Sequence, residues 1–330
     1  MPTDNRQLTT DSQHILTANE LISLTGHQKA GDILKSFDKK DLLKMPGGKW
    51  GIPAQTVKAY FSERGVDYSF KVVAHINLKG GTGKTTSTIS AAVRAMQYGF
   101  RTCILDMDPQ GNASLAFDRI PEEDDPIFCD VWQNPAEMIM GSLRAIEENL
   151  HILPSSLENS LLDVQLMNPA LQKHAVRGVC DELKKKGFDL VIIDCPPSLG
   201  TAVISTICAA DVVVIPLCSD IFSMKGAKLT LSEISSICEA FHLEPPVTDI
   251  LYTKFDKRVK TSVNALHQIS SEYQEFLIPV PIRTSAEFSK AIEKKKTVFA
   301  LKGKSSAKED YDKYVRYLLK LDSNFKRGEK

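Results

Sequence analysis

The sequence predicts an α/β protein: a doubly wound, mostly parallel sheet, preceded by a small helical module. Two observations predict it. Short apolar runs recur along the chain, VVAHI at 72–76, TCILDMD at 102–108, FDLVIIDCPP at 188–197, DVVVIPL at 211–217 and VTDILYTKF at 247–255, with helix-like segments between them. Runs that are apolar throughout, rather than at every second residue, belong to strands buried on both faces, which is how a parallel sheet sits between two layers of helices. The first 70 residues have no such run, which sets them apart as a separate module.

Taken in order, residues 1–70 hold two helix-like pieces, TANELISLTG (17–26) and PAQTVKAYFSERG (53–65). Between them KMPGGKWGIP reads as a turn or small wing, because Gly and Pro punctuate regular structure. The boundary falls near Ser69, and residues 71–330 form the main domain. A chain of 330 residues exceeds one typical domain by little, so one core with an appendage is expected.

The first apolar run leads into Lys79-Gly80-Gly81-Thr82-Gly83-Lys84-Thr85-Thr86, and TTSTISAAVRAMQYGF follows with helical spacing. Strand, glycine-rich loop and helix are the context of a P-loop. Glycines let backbone N–H groups wrap a phosphate at the positive end of the helix. Lys84 is placed to reach the β- and γ-phosphates of a nucleotide, and Thr85 to hold Mg2+ through its hydroxyl. The general pattern asks for glycine at position 78, where this chain has Leu78, and a second lysine, Lys79, follows it. Asp106 and Asp108 close the second run. Asp194 closes the third, where an acid at the tip of a buried strand fits the Walker B role of holding the Mg2+ shell.

The segment KGGTGKTT resembles the deviant Walker A signature of the ParA/MinD family of P-loop ATPases. The resemblance runs from about Val72 to Ala300 through DMDPQGN, ILPSSLENSLLDVQL, DCPPSLG, AADVVVIPL with SMKGAKLT, LYTKFDKR and IPVPIRTSAEFSKAIEKKKTVF. It implies ATP and Mg2+ as cofactors and hydrolysis of ATP to ADP and phosphate. It implies that Lys79 contacts phosphates across a dimer interface, much as an arginine finger would, which ties hydrolysis to an ATP-dependent homodimer. It also implies that Asp108 orients the attacking water and helps hold the Mg2+ shell; whether Asp106 is structural or functional stays open. By the same analogy the loop after Thr253 and the segment from Pro279 to Arg283 approach the adenine.

Family resemblance further implies plasmid or chromosome partition: a nucleoid-associated dimer on non-specific DNA, with hydrolysis stimulated by a ParB-type centromere-binding partner. Net charge is zero, but from Leu251 to Lys330 there are 18 Lys and Arg against 10 Asp and Glu. One basic surface facing a polyanion, or a solvated charged face, would each give that asymmetry. The candidate DNA contacts are Lys257, Arg258, Lys260, Arg283, Lys290, Lys294, Lys295 and Lys296. Helix 53–65 resembles those that DNA-binding modules place in a groove, as family members with N-terminal extensions do at their operators; a dimerisation arm or a brace on the core is the other reading.

Several classes are excluded or set aside. Hydrophobic residues at 42% and charged residues at 25% are ordinary globular values, which argues against a disordered or membrane-spanning chain. Seven scattered cysteines without a C-x-x-C pair read as reduced thiols of a cytoplasmic protein, with Cys195 a packed small residue. The N-terminal MPTDNRQLTTDSQ lacks the pattern of a secretion signal. A MinD-like, membrane-associated positioning ATPase is the alternative function, since AKEDYDKYVRYLLKLDSNFKR has an apolar side; its acidic residues favour a helix packed on the sheet. Tyr311, Tyr314 and Tyr317 superficially suit a P-loop tyrosine kinase, but their spacing also suits a packed helix face. No cysteine has the glycine neighbours of the nitrogenase iron protein's cluster ligands.

Overall fold

A computed structural model describes residues 14–45, 47–219 and 221–325, without the side chains of 221–224. The expectation about MPTDNRQLTTDSQ lies outside the described residues. Seven strands make the main sheet: β1 (Lys71–His75), β2 (Thr102–Asp106), β3 (Arg144–Glu147), β4 (Leu150–Leu153), β5 (Leu190–Asp194), β6 (Val212–Leu217) and β7 (Val247–Tyr252). Their order is β7-β6-β1-β5-β2-β4-β3, parallel throughout except for β3, which runs antiparallel to β4 at one edge. The helices used below are α1 (Ala18–Thr25), α2 (Ala30–Leu34), α3 (Ala54–Ser62), α4 (Lys84–Gln97), α5 (Pro169–Lys185), α6 (Thr201–Ala209), α7 (Ile221–Phe241), α8 (Lys260–Glu272), α9 (Ala286–Glu293) and α10 (Ser306–Leu318).

The apolar runs are explained by where successive side chains point. Val72, Ala74, Cys103, Leu105, Val191, Ile193, Val213 and Ile215 pack in one cluster with Val176 and Val179 of α5, Val203 and Ile207 of α6, and Ile234 of α7. Val73, Ile104, Ile192 and Val214, their neighbours in sequence, pack in a second cluster with Ala91 and Val93 of α4 and with Tyr311, Tyr314 and Val315 of α10. A strand alternates faces at every residue, so a sheet covered on both sides needs apolar residues at every position. The β1–α4 loop opens at the carboxyl edge of this sheet, where strand order reverses around β1, the usual ligand position in open α/β sheets.

The N-terminal module is not wholly helical, a correction to the sequence reading. Leu16–Thr17, Trp50–Ile52 and Leu43–Lys44 pair as a small antiparallel sheet, with strands of two or three residues, too short to leave an alternating pattern. The wing is real: the last two strands form a hairpin around Gly47 and Gly48, both with positive φ. Before it, α1 and α2 are joined through Gly26, which sits in the left-handed region.

This module also shares its core with the main domain. Leu16, Leu21, Ile33, Ile52, Val57 and Phe61 belong to the same cluster as α4 and α10. On α3 it is Val57, Tyr60 and Phe61 that are buried, and Lys58 pairs with Asp189 at 2.6 Å. Polar contacts add to this: Arg94 of α4, 3% exposed, bonds Asp312 of α10 at 2.7 Å and Glu20 of α1 at 3.1 Å. Burial would push the Glu20 carboxyl up, but Arg94 and the Thr17 hydrogen bonds hold it below its ordinary value.

The last long helix packs on the sheet, as its acidic residues suggested. Tyr311, Tyr314, Val315 and Leu318 are at most 4% exposed, so the apolar side that would have met a lipid surface is the inner face of α10. Tyr311 and Tyr314 are core residues, which removes the basis for the kinase reading. Among the described residues no helix is long and apolar enough to cross a membrane.

Candidate nucleotide site

The loop after β1 is pinned from inside. Asn77, fully buried, donates from Nδ2 to the Pro216 carbonyl at 2.7 Å and accepts from the Lys79 backbone N–H at 2.9 Å. Gly81 and Gly83 take φ of 74° and 97°, a region side chains other than glycine's rarely enter. Lys84 begins α4, and its ammonium donates to the carbonyls of Asn77 and Lys79, both at 3.0 Å. Burial lowers its pKa, opposed by the negative charge of Asp194 and Asp108 nearby. Thr85 and Thr86 follow in the first turn of α4, and the Thr85 hydroxyl bonds Asp194. Gly80 and Gly81 are exposed, as a loop that meets a ligand must be, while Thr82 is buried.

Two further residues hold this loop that the sequence did not single out as its partners. Thr253 Oγ1 donates to the Thr82 carbonyl at 2.7 Å, and Lys254 Nζ to the Gly81 carbonyl at 2.6 Å. Both follow β7, and only the strand order brings that end beside the loop.

The acids converge opposite. Asp106 and Asp194 face each other in register across β2 and β5, and neither is exposed. Asp106 Oδ2 accepts from the Ser114 N–H at 2.9 Å and its hydroxyl at 2.6 Å, whereas Asp106 Oδ1 and Asp194 Oδ2 are buried with no partner. Burial pushes the Asp106 carboxyl up to about 6, against the pull of the Ser114 hydrogen bonds. Burial, then the neighbouring Asp106, holds Asp194 well above the usual carboxylate range. Asp108 is 7% exposed and caps the next turn, accepting from the Gln110 N–H at 3.0 Å.

A divalent cation fits these residues. An orphaned carboxylate oxygen on each of Asp106 and Asp194 lacks a positive partner, and the Thr85 hydroxyl lies against Asp194. Among the described residues no three His, Cys, Asp or Glu side chains form a metal cage. Mg2+ needs none, since it keeps waters and phosphate oxygens in its shell. Thr85 and Asp194 would hold it, with Asp108 at the rim; when bound it neutralises phosphate charge and orients the transferred group.

The other sequence candidates fall in two regions. Lys257, Arg258 and Lys260 are exposed at the start of α8, where Arg258 forks onto Asp256 at 2.7 and 2.9 Å. Lys290, Lys294, Lys295 and Lys296 are exposed on and after α9; Lys295 pairs with Asp118 at 2.9 Å, while Lys290, Lys294 and Lys296 line one open concavity with Lys302. Arg283 stands apart, its guanidinium held by the buried Asp310 at 2.7 Å. Residues 279–283, expected to approach an adenine, reach the carboxyl end of β7, where Arg283 bridges Phe255. That segment runs alongside β7, and Pro279 and Val280 also line a groove with Lys71, Asp211 and Val247. Cys195 is packed and 1% exposed, as expected.

Comparison with known proteins agrees with this geometry. A family model described as an AAA domain matches residues 70–245, more than half of the chain. The cell division protein PomZ of Myxococcus xanthus is 28% identical over 74% of this chain and 76% of its own. The sporulation initiation inhibitor protein Soj of Bacillus subtilis is 25% identical over 73% of this chain and 95% of its own. Among solved structures, apo McdA from Cyanothece superposes with a TM-score of 0.68 over 76% of this chain and 99% of its own, at 21% identity, a likeness of fold. Cobyrinic acid a,c-diamide synthase from Mycobacterium smegmatis, with bound ADP and magnesium, does so at 0.63 over 76% and 94%, at 26% identity. A phosphate loop with its extra lysine, acids at the tips of β5 and β2 and relatives of this kind lead to one conclusion: the chain belongs to the ParA/MinD-type family of P-loop ATPases.

Proposed function

We propose that this ATPase binds Mg-ATP at the loop 79–86, dimerises, coats DNA without sequence preference, and is released when a ParB-type partner stimulates hydrolysis, so as to segregate a plasmid or chromosome. The observation that carries the DNA step is the concavity lined by Lys290, Lys294, Lys296 and Lys302. Several lysines on one surface can neutralise successive phosphates, whereas scattered lysines cannot. Lys302 joins the sequence candidates on this ground, and Arg283, neutralised by Asp310, is a poorer contact than its charge suggested. In this reading Lys84 and Lys79 meet the phosphates, the latter from the partner protomer, and Asp108 orients the water. The dimer reading is supported by Leu157, Leu161, Val164 and Met167, exposed beside Asp163, which accepts from the Thr201 N–H at the start of α6.

For operator binding by residues 14–70 we assign basic groups around α3. The inner face of α3 is committed to the core. The exposed lysines are Lys29 and Lys35 at the two ends of α2, Lys39 and Lys40 on the short turn that follows, and Lys44 and Lys49 on the hairpin. The MinD-like alternative loses its main support, because the apolar side of α10 is buried.

The test is fluorescence anisotropy of a random-sequence duplex titrated with the protein in Mg-ATP and Mg-ADP at two salt concentrations. Binding with ATP alone that weakens with salt is expected. Absence of binding with either nucleotide removes the DNA reading, and liposome binding then becomes the measurement to make.

A further inference from the structure

A line of buried hydrogen bonds leaves the acid side of the nucleotide site and ends on α10. Thr88 Oγ1 lies 3.4 Å from Asp194 Oδ1 and 3.0 Å from His75 Nδ1, and His75 Nε2 lies 2.8 Å from the Tyr314 hydroxyl. All four side chains are fully buried. The direction of the line follows from its end. When Asp194 holds a cation it is ionised and only accepts, so in that state Thr88 donates to Asp194, His75 donates from Nδ1–H to Thr88, and the Tyr314 O–H donates to Nε2. This needs a neutral imidazole, and burial drives the His75 pKa down to about 3.

We propose that Tyr314, His75 and Thr88 are positioning residues that hold Asp194 in the orientation a magnesium shell requires, so that α10 sets the metal affinity of the site. Asp194 has one oxygen engaged by this line and the other without a partner, which is the division expected of a carboxylate held on one side and offered on the other. The longest link is the one from Thr88 to Asp194. A second contact from α10, Tyr311 hydroxyl to Ser87 Oγ at 3.0 Å, fixes the helix against the first turns of α4 but stops short of the acids. It supplies an internal control.

The experiment uses full-length protein loaded with ADP and follows Mn2+ binding by electron paramagnetic resonance, beside ADP affinity in EDTA and the melting temperature. Thr88→Val and Tyr314→Phe should each weaken Mn2+ binding about tenfold, the scale of losing a partner behind a metal ligand. ADP affinity in EDTA should not change, Thr88→Ser should restore Mn2+ binding, and Tyr311→Phe should leave it at the wild-type value. Because the line acts as one unit, Thr88→Val with Tyr314→Phe should be no worse than Thr88→Val alone within about twofold. Tyr314→Phe keeps the ring in the core and carries the test if Thr88→Val does not fold. Wild-type Mn2+ affinity in folded Tyr314→Phe, or losses that multiply in the double variant, would overturn the proposal.

Discussion

Replacing Asp106 by asparagine should stabilise the magnesium-free protein in a way that depends on pH. The wild-type carboxyl is fully buried, and its pKa is raised from an ordinary 3.8 to about 6. A carboxyl with a raised folded pKa holds its proton more tightly in the folded chain, so the folded state is favoured below pH 4 and loses that advantage as pH rises through 6. The shift corresponds to about 3 kcal/mol once both states are ionised, and to about 1 kcal/mol at pH 4.5. Asparagine keeps an oxygen for the Ser114 N–H and hydroxyl, and its amide faces the orphaned oxygen of Asp194. Urea unfolding in EDTA should therefore show a gain of about 3 kcal/mol at pH 8, shrinking towards about 1 kcal/mol at pH 4.5. Nucleotide with Mg2+ should narrow the gain, because the wild-type acids then have a cation to face. A variant less stable than wild type at pH 8, or a gain independent of pH, refutes the reasoning that burial of the Asp106 carboxylate costs the folded chain.

Asp108→Ala should retain ATP binding and remain on DNA while turnover falls at least about a hundredfold, the scale for a group that positions or activates a nucleophile; wild-type turnover in a phosphate-release assay would remove Asp108 from that role. Arg94→Met should cost about 3–5 kcal/mol in urea unfolding, because Asp312 and Glu20 are left without their buried cation. By contrast, Lys295→Ala, which breaks an exposed pair with Asp118, should cost under about 1 kcal/mol. Changing Lys290, Lys294 and Lys296 together to alanine should lower the slope of log affinity for random duplex against log salt by about 3, with ATPase activity in the absence of DNA unchanged; an unaltered slope would move the DNA surface elsewhere.

The parts of this fold legible in the sequence are those whose burial leaves a pattern. β1, β2, β5, β6 and β7 announce themselves because both faces are covered. β3 and β4 do not, because Arg144–Glu147 is half-exposed at the sheet edge and Leu150–Leu153 carries a histidine. The small N-terminal sheet escaped for a different reason, since two residues cannot show a period of two. In the site, Lys79 to Thr86 and the acids at the strand tips were readable because local chemistry demands those residue types at those spacings. Thr253 and Lys254 were placed near the nucleotide only by analogy, and their grip on the loop carbonyls depends on β7 lying two strands from β1. His75 read as one more strand residue, and nothing local could reveal that a tyrosine 239 positions later would meet its ring.

The boundary drawn near Ser69 marks a change in local pattern, and local pattern is a poor guide to what folds together. Side chains from α1, α3, α4 and α10 share one apolar cluster, and the buried Arg94 links three of these helices through Asp312 and the half-buried Glu20. A buried cation with two carboxylate partners is costly to open from any side, so the N-terminal module is tied to the helix that follows the phosphate loop by ions as well as by its apolar side chains. The same helix, α10, closes both systems: Asp312 on one turn meets Arg94, and Tyr314 on the next part of its inner face meets His75. A shift of α10 would thus disturb the seat of the N-terminal module and the orientation of Asp194 together. That shared dependence ties the packing of residues 14–70 to the geometry of the nucleotide site, and it requires no element beyond those already packed in the core.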